Sequence, residues 1–490
     1  MKLKALLDAI GPAQTEGSLE REVTGLAYDS RRVTPGMLFV ALPGLKQDGH
    51  EFIPDALERG AVAIVCERDV PVPARTTRIR VSQARAAMAR LAACFHGQPS
   101  DKLRIVGVTG TNCKTTVSFL VKHLLGERTG LLGTVRYEVG GRQIPAQRTT
   151  PEALELQQLL SQMVRSGCTG CAIEVSSHAL DQHRVTGIVF DVGVFTNLTQ
   201  DHLDYHGTME SYFATKQRLF EMLRAGGKSG HAVVNVDDPY GARLAQTFPG
   251  AHLLTYGLGA GAMLRATDLK LAHGQTQMVV ECEGQRHPCN LPFIGRHNVY
   301  NALAALGAGF SLGLDLAALV VRIEGAPPVP GRLDPVRSGQ AFEVFVDYAH
   351  TDDALKQVLA TLREITPGRL FLTFGCGGNR DAGKRVKMGA VAAQGADFTI
   401  ITTDNPRSES PAAIAAQVEQ GYTACRAAGC RIELDRARAI DELIRMAQPG
   451  DTVLLAGKGH ETYQEFENTV VPFDDHLCAR DTLEALGHGR

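Results

Sequence analysis

Ile105-Val106-Gly107-Val108-Thr109-Gly110-Thr111-Asn112-Cys113-Lys114-Thr115-Thr116 is the stretch whose reading decides the fold. The apolar run over 103–108 predicts a buried strand, and 116–126 predicts a helix. Between them falls a turn carrying Gly107, Gly110 and a Lys-Thr pair. Strand, glycine turn and helix in this order suit a phosphate cradle. Backbone N–H groups and the helix N-terminus face the anion, Lys114 adds a point charge, and Thr115 stands where such a loop offers a hydroxyl to Mg2+. The pattern G-x-x-x-x-G-K-[ST] is broken twice, because Val108 and Cys113 hold its glycine positions. A structural glycine turn is the competing reading, and the strand–turn–helix context favours nucleotide phosphate.

Outward from this loop, 490 residues exceed what one core serves, so about three domains are expected. The 51 Lys and Arg nearly cancel the 53 Asp and Glu, which argues against non-specific nucleic-acid binding. No apolar run reaches the ~18–20 residues of a membrane span, and the apolar core before Asp8 is too short for a signal peptide. The eleven cysteines show no paired framework, and Cys168/Cys171 and Cys425/Cys430 lack zinc partners. Reduced thiols in a cytoplasmic protein are expected.

In chain order, 1–100 predicts a small mixed α/β domain. It has strands at Leu38–Leu42 and Ala61–Val65 and a helix at 53–59. Asp29-Ser30-Arg31-Arg32 before Pro35-Gly36 reads as an exposed cap or turn. From 101 to 331 strands alternate with helices, as in a doubly wound sheet. Strands are expected at 103–108, 171–175, 190–195 and 231–236, and helices at 116–126, 152–166, 210–224 and 298–312, with an antiparallel flap over 264–282. Pro327-Pro328-Val329-Pro330 marks the next boundary. A second alternation over 332–490 predicts a Rossmann-like domain. Its strands fall at 343–348, 369–374, 398–403 and 452–456, and its helices at 353–364, 384–394, 411–428 and 438–447.

Glu174 closes the strand Cys171–Val175, where parallel sheets present ligands, and beside a phosphate loop it suits Mg2+ together with Thr115. Capping the next turn is the simpler role. The run 197–207 holds Asp201, His202, Asp204 and His206, whose mixed oxygen and nitrogen donors fit Mg2+ better than zinc. Lys216, on a helix, is by itself a snorkelling surface residue.

Together, the loop at 105–116, Glu174-Val175-Ser176-Ser177-His178, the run 197–207, Arg296-His297-Asn298-Val299-Tyr300-Asn301 and Asp347-Tyr348-Ala349-His350 resemble the Mur ligase family over nearly the full chain. Asp29-Ser30-Arg31 and Pro35-Gly36 are similar to its uridine-nucleotide domain. Asp404-Asn405-Pro406-Arg407 resembles the members that add meso-diaminopimelate in peptidoglycan precursor synthesis.

The resemblance implies three domains: a UDP-muramyl domain at 1–100, an ATP-binding domain at 101–331 and an amino-acid-binding domain at 332–490. It implies a monomer that uses ATP and Mg2+ to join meso-diaminopimelate to UDP-N-acetylmuramoyl-L-alanyl-D-glutamate through an acyl phosphate. Nucleotide contacts fall to Gly107, Thr109, Gly110, Thr111, Asn112, Lys114, Thr115, Thr116, Asn298 and Asn301, with Arg332 and Asp347 from across the domain boundary. Metal roles fall to Thr115, Glu174, His202 and a carbamylated Lys216. The muramyl dipeptide falls to Ser30, Asn112, Thr149, Thr150, Ser176, Gln182, Arg184 and Lys216. Diaminopimelate falls to Arg380, Asp404, Asn405, Pro406, Arg407, Gly457 and Glu461, with Arg407 pairing its second carboxylate.

In isolation, Thr149-Thr150-Pro151 reads as a helix N-cap followed by proline at N1, and Arg407 as a salt-bridged loop arginine. Cys113 departs from the family glycine and puts a thiol at a cationic helix N-terminus. Asp352 replaces a proline, which reads as a change of helix cap. A lysine-adding ligase, folylpolyglutamate synthase and a nucleotide-binding switch are the alternatives.

Overall fold

A computed structural model of the chain describes residues 1–44, 47–248, 252–272 and 274–489. Residues 45–46, 249–251, 273 and 490, which the sequence reading assigns to its domains and flap, lie outside the description. The chain forms two compact units, Met1–Arg265 with Leu303–Leu319, and Ala266–Ala302 with Val320 onward.

The first unit holds two sheets. Its N-terminal sheet orders β1 (Gln14–Glu16), β5 (Thr77–Arg80), β4 (Ala63–Cys66), β3 (Leu38–Val40) and β2 (Leu26–Ala27), parallel except at the β1 edge. The helix Ala84–Phe95 buries an alanine-rich face on this sheet, and Leu154 of the helix Ala153–Arg165 joins the same core.

The larger sheet runs β13 (Leu253–Gly257), β12 (His231–Asn235), β11 (Val192–Phe195), β6 (Arg104–Thr109), β10 (Gly170–Glu174) and β7 (Thr129–Leu132), all parallel. Two antiparallel strands, β8 (Arg136–Val139) and β9 (Arg142–Pro145), follow β7. The strands β6, β10, β11 and β12 are apolar runs because both faces of such a sheet are covered. The chain leaves β6 toward β7 and returns on its other side as β11, so the loop after β6 opens at a topological switch point.

In the second unit, which begins at Ala266 within β14 (Leu264–Ala272), β14, β15 (Gln275–Cys282) and β16 (Gln285–Leu291) are neighbours in that order, so the expected flap extends to Leu291. Its parallel sheet orders β18 (Glu343–Asp347), β22 (Thr452–Ala456), β19 (Leu370–Phe374), β20 (Phe398–Ile401) and β21 (Cys430–Ile432). The short β17 (Asp334–Pro335) lies antiparallel at the β18 edge, and β23 (Tyr463–Phe466) pairs with β24 (Thr469–Pro472) as a separate hairpin.

Apart from the longer flap, expected elements agree with these to within about two residues, with one exception. The helix expected over 411–428 ends at Thr423. There the chain must turn back into β21, through Gly429 at φ +93° and a bond from the Tyr422 hydroxyl to the Gly429 carbonyl. One cap assignment also changes. Thr351, not Asp352, caps the helix Asp352–Ile365, and Asp352 instead supplies an acid in its first turn.

Candidate active site

The turn after β6 is shaped by close approach. At Gly110 (φ +150°) a Cβ would fall 1.9 Å from Thr196 Oγ1, so only glycine fits. Gly107 is different from the reading of it as a turn residue. It lies inside β6, where a Cβ would sit 2.7 Å from the Phe190 ring, so its role is strand packing rather than phosphate contact. Thr109 ends the strand, and Thr111 and Asn112 are tied to the next strand end by N–H bonds of 2.9 Å to the Asn197 carbonyl and Asn197 Oδ1. Cys113 is the N-cap of the helix Lys114–Leu125 at φ +72°, the left-handed conformation a side chain resists. Lys114 Nζ curls back onto the carbonyls of Gly110 and Thr111 at 2.9 and 2.7 Å, holding the loop in a closed ring. Thr116 is buried in the first turn of that helix.

Thr115 Oγ1 donates to Glu174 Oε2 at 3.1 Å, and Glu174 is fully buried at the end of β10. The same carboxylate takes the N–H of Thr134 on Oε1 at 2.8 Å and the Thr134 hydroxyl on Oε2 at 2.9 Å. A Cβ on Gly133 would come within 2.2 Å of Oε1, so Gly-Thr at this turn is what lets the carboxylate seat. Thr134 and Gly133 were not found from the sequence. A Gly-hydroxyl pair directly after the apolar strand Thr129–Leu132 was the signal available.

Lys216 is not a snorkelling surface residue. It is 1% exposed, its Nζ donates to the Gly110 carbonyl at 2.8 Å, and it lies 4.5 Å from the centroid of the Tyr212 ring. Burial, reinforced by Lys114, pushes its ammonium well below the usual lysine range. Both lysines therefore converge on one peptide oxygen. His202 caps a short turn at φ +54°, edge-on to His178 at 5.0 Å, and burial lowers its imidazole. Among the described residues no three His, Cys, Asp or Glu side chains gather as a metal-binding group, so the run 197–207 is not itself a cluster of ligands. The donors brought together are the oxygens of Thr115 and Glu174, a hard pair suited to a hard cation.

The sequence placed Thr150 as a helix cap, and this is corrected. The helix begins at Ala153 with Glu152 as N-cap, and Thr150 Oγ1 instead donates to the Glu174 carbonyl at 2.7 Å and accepts from the Ser176 N–H at 3.1 Å. Thr149 Oγ1 meets Thr134 Oγ1 at 3.0 Å, so a file of hydroxyls runs from the buried carboxylate to Thr149. Arg184 Nη1 donates to the Thr150 carbonyl at 3.1 Å and Nη2 to Gln182 Oε1 at 2.6 Å. Arg184 also pairs with Glu152 at 3.1 Å, as does Arg148 at 3.3 Å. Ser30 was expected to be exposed. It is 5% exposed, because the turn capped by Asp29 folds it toward the helix Ile53–Glu58, where its hydroxyl and Arg59 hold the Asp55 carboxyl below the usual range.

In the second unit, Asn301 Nδ2 donates to Asn298 Oδ1 at 2.9 Å and Asn298 Nδ2 to the Ile294 carbonyl at 2.9 Å, both side chains buried. Asn298, Arg332, Phe293, Pro328 and Phe345 line a common pocket. Arg332 lies over the Tyr348 ring at 4.8 Å. Asp347 accepts from the N–H groups of Leu333 and Ala349 at 2.7 and 2.8 Å, while burial raises its carboxyl.

Pro406 leads into Arg407, which holds φ +53°. Arg407 Nε pairs with Glu465 at 2.8 Å and Nη1 donates to the Gly378 carbonyl at 2.8 Å, the salt-bridged loop arginine of the simpler reading. A Cβ on Gly377 would lie 3.2 Å from Arg407 Nη1 and 3.9 Å from Arg380 Cγ, which brings both arginines to this loop. Asn405 Nδ2 donates to Glu461 Oε2 at 2.8 Å, and at Gly457 a Cβ would stand 2.7 Å from Asp404 Oδ2.

Three family models match this chain: "Mur ligase family, catalytic domain" over 22–96, "Mur ligase middle domain" over 108–309, and "Mur ligase, glutamate ligase domain" over 331–459. A protein of Solibacter usitatus named UDP-N-acetylmuramoyl-L-alanyl-D-glutamate--2,6-diaminopimelate ligase is 46% identical, with 96% of this chain and 95% of that one covered. A protein of the same name from Geobacter metallireducens is 45% identical over the whole of both chains. A solved structure of an enzyme of that name shares 34% identity at a TM-score of 0.72, covering 100% of this chain and 99% of its own. The fold also matches MurF ligase of Thermotoga maritima in complex with ADP, at 22% identity and a TM-score of 0.60, covering 89% of this chain and 94% of that one.

Proposed function

The chain belongs to the Mur ligase family, and on that premise we propose that it is the ATP-dependent ligase joining meso-2,6-diaminopimelate to UDP-N-acetylmuramoyl-L-alanyl-D-glutamate. A free carboxylate is a poor acyl donor. ATP phosphorylates the glutamyl carboxylate, the amine attacks the resulting acyl phosphate, and inorganic phosphate leaves as the amide forms. The protein contributes positioning and charge neutralisation rather than covalent chemistry.

The phosphates lie on the loop at Gly110–Thr116, where Lys114 exchanges its two peptide carbonyls for phosphate oxygens. Thr115 and Glu174, already in contact through oxygen, fit Mg2+, with His202 as a further metal-site residue. Bound there, Mg2+ screens the phosphate charge. Lys216, whose ammonium burial pushes well below the usual lysine range, adds its amine to CO2 with release of a proton, and the carbamate so formed supplies an anion beside the loop. Asn298, Asn301, Arg332 and Asp347 serve the nucleotide. Ser30, Asn112, Thr149, Thr150, Ser176, Gln182 and Arg184 serve the muramyl dipeptide. Asp404, Asn405, Arg407, Arg380, Gly457 and Glu461 serve the amino acid, whose distal carboxylate competes with Glu465 for the Arg407 guanidinium. ATP and UDP-linked precursors are cytoplasmic metabolites, and no described helix is long and apolar enough to cross a membrane.

The observation that carries the reading is full-length identity above 40% to ligases of this one name, in a chain that keeps Asp404–Arg407 on the loop of Gly377 and Gly378. Phosphate release from ATP is expected only when the UDP-muramyl dipeptide and diaminopimelate are both present. Replacing diaminopimelate with lysine is expected to cut kcat/KM by about 10–100-fold, since lysine lacks the carboxylate that takes Arg407 from Glu465 and so forgoes one charge-assisted contact. Equal rates with the two amino acids refute the assignment. Lys216→Ala is expected to abolish turnover and to regain part of it with added short-chain carboxylic acids.

A further inference from the structure

Lys458 is fully buried, and no step above uses it. Its ammonium stands 3.2 Å from Asn405 Oδ1, 3.3 Å from Glu461 Oε2 and 4.0 Å from Asp404 Oδ1, and 5.5 Å from the centroid of the Tyr463 ring. Three residues assigned to the incoming amino acid thus gather on one cation that water does not reach. Asn405 Oδ1 also accepts from the Glu465 N–H at 3.0 Å, while Nδ2 donates to Glu461 Oε2. These partners fix which way the amide points. They also occupy Glu461 Oε2 twice, which leaves Oε1 as the carboxylate oxygen for a ligand. Two carboxylates against one buried ammonium leave a single formal negative charge.

From this geometry we infer that Lys458 is the positioning residue of the amino-acid pocket, locking Asn405 and Glu461 and cancelling one of two carboxylate charges so that one anionic place remains for one substrate ammonium. The inference rests on the diaminopimelate reading and deepens it. A buried anion pair without its cation would carry an uncompensated charge that neutralises by taking up a proton. The groups facing Glu461 are Lys458, Asp404, Tyr348, Tyr463 and Arg436. Burial pushes the Glu461 carboxyl up and Lys458 opposes that push. Without Lys458, Glu461 is protonated at higher pH and loses the charge that receives the ammonium.

The test is steady-state kinetics of the full-length Lys458→Met variant between about pH 6.5 and 9. KM for meso-diaminopimelate is expected to rise by about 10–100-fold, most at the acid end, as for a lost supporting contact. The expected kcat at saturating diaminopimelate, and KM for ATP and the nucleotide dipeptide, stay within about threefold. An unchanged KM for diaminopimelate, or a fall of every parameter together with the melting temperature, overturns the proposal. Because loss of a buried cation can itself unfold the domain, Lys458→Met/Glu461→Gln removes a plus and a minus together. That double variant is expected to melt like the wild type, and its KM for diaminopimelate to exceed that of Glu461→Gln by much less than Lys458→Met alone raises it, because Lys458 acts through that carboxylate; fully additive increases overturn the proposal. Wild-type enzyme unable to use diaminopimelate refutes the ligase reading instead, so the two failures are distinct.

Discussion

At Cys113 the loop holds φ +72°, and a side chain in the left-handed region costs about 1–2 kcal/mol of stability. Cys113→Val puts a β-branched side chain at this φ and is expected to lower the melting temperature by several degrees, with Cys113→Ala close to wild type. The thiol also borders the loop assigned to phosphate, so Mg-ATP is expected to slow its alkylation. Equal alkylation rates with and without Mg-ATP would show that nucleotide does not reach this turn. A second residue-scale test uses His297, whose ring nitrogen lies 3.3 Å from Thr361 Oγ1 and whose imidazole burial pushes down to about 4. Its ordinary value in an unfolded chain is about 6.5. Between those values the unfolded state binds a proton that the folded state refuses, so stability falls as pH drops from about 6.5 toward 4, and nothing is gained above 6.5. His297→Gln is expected to flatten the melting temperature over that interval.

Among the elements, the turn from β7 to β8 has the most to do with chemistry and the least sequence signal. Gly133 and Thr134 seat the Glu174 carboxylate through a close approach, an N–H and a hydroxyl, and Thr134 passes the file of hydroxyls on to Thr149. Thr134→Val keeps the N–H and loses the hydroxyl. It is expected to cost about 10–100-fold in activity and to raise the Mg2+ concentration needed for half-maximal rate, while Thr134→Ser stays near wild type. Gly133→Ala, which drives a methyl into Glu174, is expected to lose more. The alternation of strands and helices was legible because burial on both faces writes an apolar run for each strand, and the phosphate loop was legible through its context. What could not be read were pairings that join distant stretches. Thr150 looked like a cap until β10 supplied the Glu174 carbonyl for it, and Arg407 found Glu465 on a later hairpin. Lys458 lies between Gly457 and Glu461, both assigned from the sequence, yet its complete burial is what points to its role.

For the whole molecule, the three domains expected from the sequence match three family models, and the packing gathers them into two compact units. The N-terminal sheet shares its core with Leu154 of the helix Ala153–Arg165, and the Tyr28 hydroxyl donates to Glu155 of that helix at 2.8 Å. Neither sheet of the first unit can lose its packing without exposing part of the other. The second unit has cores on both faces of its own sheet. Scanning calorimetry is therefore expected to resolve two transitions, and three would mean that the N-terminal sheet melts alone. The buried pair Arg436–Asp475 marks which transition is which. Both side chains are fully buried, Arg436 Nε and Nη2 reach the two Asp475 oxygens at 2.7 and 2.6 Å, and Nη2 also donates to the Ala456 carbonyl at the end of β22. Asp475→Leu strands a guanidinium in an apolar interior, which costs about 3–5 kcal/mol. Only the transition of the second unit is expected to fall. Arg436→Met/Asp475→Leu removes both charges and is expected to recover most of the loss, because desolvating the pair offsets most of what their attraction contributes. If the single variant lowers both transitions equally, the two units do not unfold separately, and the two-unit account of the molecule fails with it.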